Sequence, residues 1–176
     1  MSDSAKGGPL VGIIMGSDTD YPVMAEAGKT LEKFGIAYDI EVTSAHRSPA
    51  RTHEYASTAA NRGLKCIIVG AGGAAHLAGV VAAASTLPVI GVPLATSALN
   101  GMDALLATVQ MPGGIPVGTM AIDKAGAVNA AIFAAEIIGL SDATIAKKLL
   151  GHKEELARGV AEKNARLQEQ RKKASS

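Results

Sequence analysis

The chain has 176 residues and is 48% hydrophobic, enough to bury about two thirds of its unfolded surface in one core, so a single compact domain is expected. Aromatic residues make up 3% and Trp is absent, while Ala, Gly and Val are abundant, which suits helices packed closely on a sheet. Seventeen basic residues against sixteen acidic ones leave a formal charge of +1, which excludes a global field for nucleic acid.

Residues 1–9 are polar and glycine-containing, without the apolar run of a secretory signal, and read as a disordered leader. From there short apolar runs alternate with helical patterns. Leu10 to Met15 reads as a strand and Tyr21 to Phe34 as a helix; Tyr38 to Val42 and Pro49 to Arg62 repeat the pair. Three further units follow: Cys66 to Val69 with His76 to Ser85, Val89 to Val92 with Gly101 to Val109, and Pro116 to Ala121 with Ala125 to Leu140. Five strand–helix units predict a three-layer α/β fold with a mostly parallel, doubly wound sheet over residues 10–140. Val11-Gly12-Ile13-Ile14-Met15 is apolar throughout rather than alternating, as a strand buried on both faces requires. Cys66 opens a similar run, so it reads as a small core residue in a reducing, cytoplasmic setting.

Ser48 before Pro49 offers a helix N-cap, and Ser141-Asp142 a second one. Residues 141–176 form the C-terminal helix and tail. Ile145, Leu149, Leu156, Val160 and Leu167 draw a narrow apolar seam along this rod, fitting either a helix folded back on its own domain or an arm laid on another subunit. Gly and Pro interrupt every long apolar segment between Ile67 and Val117, which excludes a membrane-spanning helix.

Ligands of open α/β sheets bind at the carboxyl ends of the strands, so the loops there hold the candidate site. After the first strand, Gly16-Ser17-Asp18-Thr19-Asp20 brings a hydroxyl and backbone amides to a helix start, which favours phosphate. Asp20 also fits a plain N-cap. After the second strand, Thr43-Ser44-Ala45-His46-Arg47-Ser48 concentrates a titrating imidazole, a guanidinium matched to phosphate oxygens and three hydroxyls. After the third, Gly70-Ala71-Gly72-Gly73-Ala74-Ala75-His76 lets backbone approach a ligand closely.

Three decoys fail. The glycine-rich run matches G-x-G-x-x-A, but it follows the third strand and no Asp or Glu lies between Tyr55 and Met102 to hold a dinucleotide ribose. Gly28-Lys29-Thr30 resembles the end of a P-loop, yet Val23 stands where its first glycine is needed. His46, His53, His76 and His152 show no ligand spacing, so no metal is expected.

Four segments together carry a family resemblance: Gly16-Ser17 with Asp20, Ser44-Ala45-His46-Arg47 with Pro49, Ala71-Gly72-Gly73-Ala74-Ala75-His76-Leu77, and Val109-Gln110-Met111-Pro112 with Gly114. From about Val11 to Leu140 the chain resembles the bacterial 5-(carboxyamino)imidazole ribonucleotide mutases of purine synthesis. The resemblance implies a flavodoxin-like domain, a homo-octamer, and conversion of 5-(carboxyamino)imidazole ribonucleotide into 4-carboxy-5-aminoimidazole ribonucleotide without metal, ATP or organic cofactor. It implies His46 as the proton carrier, and Ser17, Asp20 and Arg47 as the residues holding ribose and phosphate. It also implies that Ser44, Gly72 and His76 lie around the same pocket. Tyr21, Ser48 and Ala78 depart from the usual Trp, Thr and Pro, and Ala78 is expected to make the loop after the third strand more mobile. The alternative is the related carboxylase that takes free carbon dioxide; Arg47 and the 73–76 loop speak against it, since that class has Lys and a different loop there.

Overall fold

The computed structural model describes residues 8–174; residues 1–7 of the expected leader, and 175–176, lie outside that range. Five parallel strands, β1 (Val11–Met15), β2 (Tyr38–Val42), β3 (Cys66–Gly72), β4 (Val89–Leu94) and β5 (Gly118–Thr119), stand in the order β2-β1-β3-β4-β5. Six helices connect and cover them: α1 (Tyr21–Phe34), α2 (Pro49–Thr58), α3 (Leu77–Ala84), α4 (Met102–Val109), α5 (Asp123–Gly139) and α6 (Ala143–Ala174). This strand order is that of the flavodoxin-like sheet, with its reversal point between β1 and β3.

Alternate strand residues point to opposite faces, and the two faces build two cores. Val11, Ile13, Met15, Cys66, Ile68, Ile90 and Val92 meet α1, α5 and the start of α6. Ile14, Ile67, Val69, Ala71 and Val89 meet α2, α3 and α4 on the other side. Burial on both faces explains the unbroken apolar strands. The alanine-rich composition has its use in α5, where Ala127, Ala130, Ala131, Ala134 and Ala135 are fully buried and let the helix lie close to α1 and β4. Gly70 serves the same closeness: a Cβ there would come within 2.4 Å of Met24 Sδ.

Several boundaries differ from the sequence expectation. The second helix ends at Thr58 rather than Arg62, because the chain turns through Ala59–Leu64, with Gly63 at φ 93°. The third and fourth strands run on to Gly72 and Leu94, since each continues to pair with the other. The fifth strand is only two residues long, hydrogen-bonded beyond its end by Met120 N–H to Gly91 O. Asp142 caps α6, accepting from the N–H groups of Thr144 and Ile145 at 2.8 and 3.1 Å. Ile145 is buried and Leu149 packs on the same core, whereas Leu156, Val160 and Leu167 are exposed. The rod thus folds back on its domain at its beginning and leaves it afterwards. Lys148 fastens the near part by donating to Phe34 O, 2.6 Å away, at the carboxyl end of α1.

Candidate active site

The loops after β1, β2, β3 and β4 converge at the reversal point of the sheet and enclose a cleft of about 220 Å³. Parallel pairing of β1 with both β2 and β3 sets the first three side by side.

In the first loop Ser17 caps a single 3-10 turn, Asp18–Asp20. Its hydroxyl oxygen accepts from Thr19 N–H at 3.3 Å and from Thr19 Oγ1 at 2.8 Å, while its own N–H donates to Asp20 Oδ2 at 3.2 Å. Asp20 is therefore not a side-chain cap of α1; it closes the turn before that helix. Burial raises the Asp20 carboxyl above its ordinary value, and the Ser17 N–H and the Arg47 charge partly pull it back.

The second loop is held from within. Ser44 Oγ accepts from Arg47 N–H at 3.2 Å, and Ser48 Oγ accepts from Ser44 N–H at 2.9 Å. Ser48 therefore makes no side-chain cap for α2, contrary to the sequence reading, because its hydroxyl is turned back into the loop that carries His46. Beneath it, Thr43 and Thr52 are buried with their hydroxyls 2.8 Å apart. Arg47 Nη2 donates to Gly16 O at 2.6 Å and so ties the second loop to the first.

The third loop begins where β3 ends. Gly73 takes φ 57°, a left-handed conformation that glycine adopts without strain, and the chain then turns into α3. His76, at the N-terminus of α3, brings Nδ1 to 2.8 Å from Nε2 of His46, with the two rings edge to face. Sequence spacing gave no hint of this pair, thirty residues apart; parallel pairing of β1 with β2 and β3 brings it together.

Gly16, Ser17, Asp20, Ser44, His46, Arg47 and Gly72 all border the cleft, and His76 reaches it through His46. Thr19, Ala71, Ala74, Leu77 and Thr96 line it too. Thr96 carries no motif in the sequence, and only the place of β4 beside β3 brings it to the same edge. The Gln110-Met111-Pro112 segment is not on this cleft; Met111 lies against Gly79 of α3. Among the described residues no three His, Cys, Asp or Glu side chains are grouped to hold a metal ion, and no helix is long and apolar enough to cross a membrane.

One family description, AIR carboxylase, matches residues 10–159, which takes in every loop of the cleft. The chain belongs to the AIR carboxylase family. Within that family it is similar to proteins named N5-carboxyaminoimidazole ribonucleotide mutase: 55% identical to that of Pyrococcus horikoshii, over 92% of this chain and 90% of the relative. It is 56% identical to that of Thermotoga maritima over 92% and 93% of the two chains, and 54% identical to that of Bacillus subtilis over 90% and 98%. Among solved structures, Treponema denticola PurE superimposes with a TM-score of 0.81 at 29% identity, covering 90% of this chain and 98% of that one.

Proposed function

We propose that this family member is an isomerase that converts 5-(carboxyamino)imidazole ribonucleotide into 4-carboxy-5-aminoimidazole ribonucleotide in purine biosynthesis. The observation that carries the reading is one cleft that Ser17, Ser44, His46 and Arg47 share with Ala71, Gly72 and Ala74, with His46 hydrogen-bonded to His76. The names of the relatives favour a mutase over a carboxylase that draws on free carbon dioxide.

In this reading the polar end holds the ribose phosphate. Arg47 supplies a planar fork of N–H donors, Ser17 and Ser44 hydroxyls, and Asp20 an acceptor for ribose hydroxyls. His46 then acts twice. As an imidazolium it gives a proton to the carbamate nitrogen, the N–C bond breaks, and carbon dioxide and the aminoimidazole are left in the cleft. The ring carbon next attacks the carbon dioxide, and the neutral imidazole removes the proton from that carbon, restoring both the aromatic ring and the protonated His46. Atoms and charge balance without any co-reactant. The uncharged Gly72 end suits a captive neutral gas, since it offers carbon dioxide no competing carboxylate.

His76 holds one ring nitrogen of His46, Nε2, and so leaves Nδ1 for exchange with substrate. We further propose a cytoplasmic homo-octamer in which residues 10–140 form the catalytic unit and α6 serves as an arm between subunits. The test is direct: purified protein given the carbamate nucleotide, with no ATP, metal or added bicarbonate, should form the ring-carboxylated product. Failure under those conditions, with product appearing only from aminoimidazole ribonucleotide and dissolved carbon dioxide, would overturn the assignment.

A further inference from the structure

At the Gly/Ala end of the cleft stands one polar side chain that the functional reading has not used. Thr96 follows β4, and β4 pairs with β3 so that Leu94 lies opposite Gly72. This pairing brings the Thr96 hydroxyl over the Cα of Gly72: a Cβ built there would lie 1.8 Å from Thr96 Oγ1. Gly72 does not take a left-handed φ, so its backbone does not demand glycine. Space does, and the space is filled by the threonine hydroxyl.

At the other end, Ser17 Oγ is engaged by Thr19 and Arg47 Nη2 by Gly16. The Thr96 hydroxyl makes no hydrogen bond to any described residue, and its side chain is exposed to the cleft that Ala71, Ala74 and Leu77 line beside it. A donor with no partner among the described residues, beside Ala71, Gly72 and Ala74 of the cleft, has an evident ligand, the carboxyl group that the reaction moves.

We propose that the Thr96 hydroxyl donates a hydrogen bond to the carboxylate of the carbamate substrate and of the ring-carboxylated product, and that this contact lets the site distinguish carboxylated from uncarboxylated nucleotide. The inference rests on the functional reading above and adds a substrate-contacting residue to it. A hydroxyl suits the task better than a cation. Arg or Lys would stabilise the bound carboxylate strongly, and that stabilisation would be lost as neutral carbon dioxide forms, raising the barrier. One neutral donor orients the carboxylate at little such cost.

Calorimetry on the full chain decides the matter, using wild type, Thr96→Val and Thr96→Ser, each titrated with 4-carboxy-5-aminoimidazole ribonucleotide and with aminoimidazole ribonucleotide. Valine keeps the shape and removes the donor; serine restores it. Thr96→Val should weaken the carboxylated nucleotide about tenfold and change the uncarboxylated one by less than about twofold, with Thr96→Ser recovering most of the loss. Equal weakening of both nucleotides, or no weakening of either, overturns the role of Thr96 while wild-type turnover leaves the functional reading standing. If wild type binds neither nucleotide and turns over no carbamate, the functional reading falls and takes this inference with it.

Discussion

His46 and Arg47 are neighbours in sequence, yet the fold gives them separate partners: the His76 imidazole of the third loop for one, a backbone carbonyl of the first loop for the other. A residue-scale consequence is that His46→Asn should lower kcat at least about a hundred-fold, the low end for losing a general acid–base group, while nucleotide affinity stays near wild type. Turnover within about threefold of wild type, in the same assay, would remove His46 from the mechanism. Arg47→Lys should act on affinity instead, because an ammonium keeps the charge but loses the planar fork, and calorimetry on the same nucleotides reads the difference. These chemical residue types were legible in the sequence because they cluster in one six-residue segment at a strand end. The His46–His76 contact and the place of Thr96 were not, since both depend on which strands lie side by side. Ser48 was misread for a related reason: a serine before a proline signals a helix cap, and only the fold shows that its oxygen serves Ser44 N–H.

The second strand and second helix are joined at the opposite edge of the sheet from the cleft. Tyr55 Oη donates to Asp39 Oδ1 at 2.5 Å, Arg62 Nη1 to Asp39 Oδ2 at 2.9 Å, and the Arg62 guanidinium lies 4.2 Å above the Tyr55 ring. Gly12 of β1 makes room, since a Cβ there would come within 2.2 Å of Tyr55 Oη. Burial first, then the hydrogen bond to Asp39, raises the Tyr55 phenol above its ordinary value. Tyr38 is raised to about 12, by burial and by its bond to Glu32. Both groups keep their protons in the folded chain after the unfolded chain would lose them. Their stabilisation is therefore complete below about pH 10, the ordinary tyrosine value, and is lost as pH rises through the folded-state values. Tyr55→Phe should cost about 1–3 kcal/mol at pH 8 and make the alkaline loss shallower; urea unfolding at pH 8 and pH 11 measures both. An unchanged slope between those pH values would contradict the account. At this scale, α1 was legible to the residue and α5 to within two residues of each end. The short β5 was not, because Pro112, Pro116 and the glycines between them leave only Gly118–Thr119 paired with β4.

Over the whole molecule, the alternation of strands and helices makes the sheet parallel, but the arm follows from nothing so regular. Its apolar seam divides: Ile145 and Leu149 belong to the core of the domain, while Val160 is 66% exposed and Leu167 52%. The match to the family ends at Gly159, between Leu156 and Val160 of the seam's exposed part. Exposed apolar residues on a long helix are stabilised by burial against another surface, and in a homo-oligomer that surface belongs to a second copy. Truncation after Gly159 leaves Ile145 and Leu149 in place, so the domain should keep its fold while light scattering at micromolar concentration shows a smaller assembly than the full chain. Equal masses for the two proteins would deny the outer arm a part in assembly.

In the proposed reaction the carboxyl group leaves one atom of the nucleotide and returns to another without escaping the cleft. Carbon isotope placed in the carbamate of 5-(carboxyamino)imidazole ribonucleotide, with unlabelled bicarbonate in solution, measures this most directly. Product isolated at low conversion should carry the label largely undiluted. Product carrying the isotopic composition of the medium would show that carbon dioxide enters from solution, and the mutase reading of the His46 cleft would be wrong.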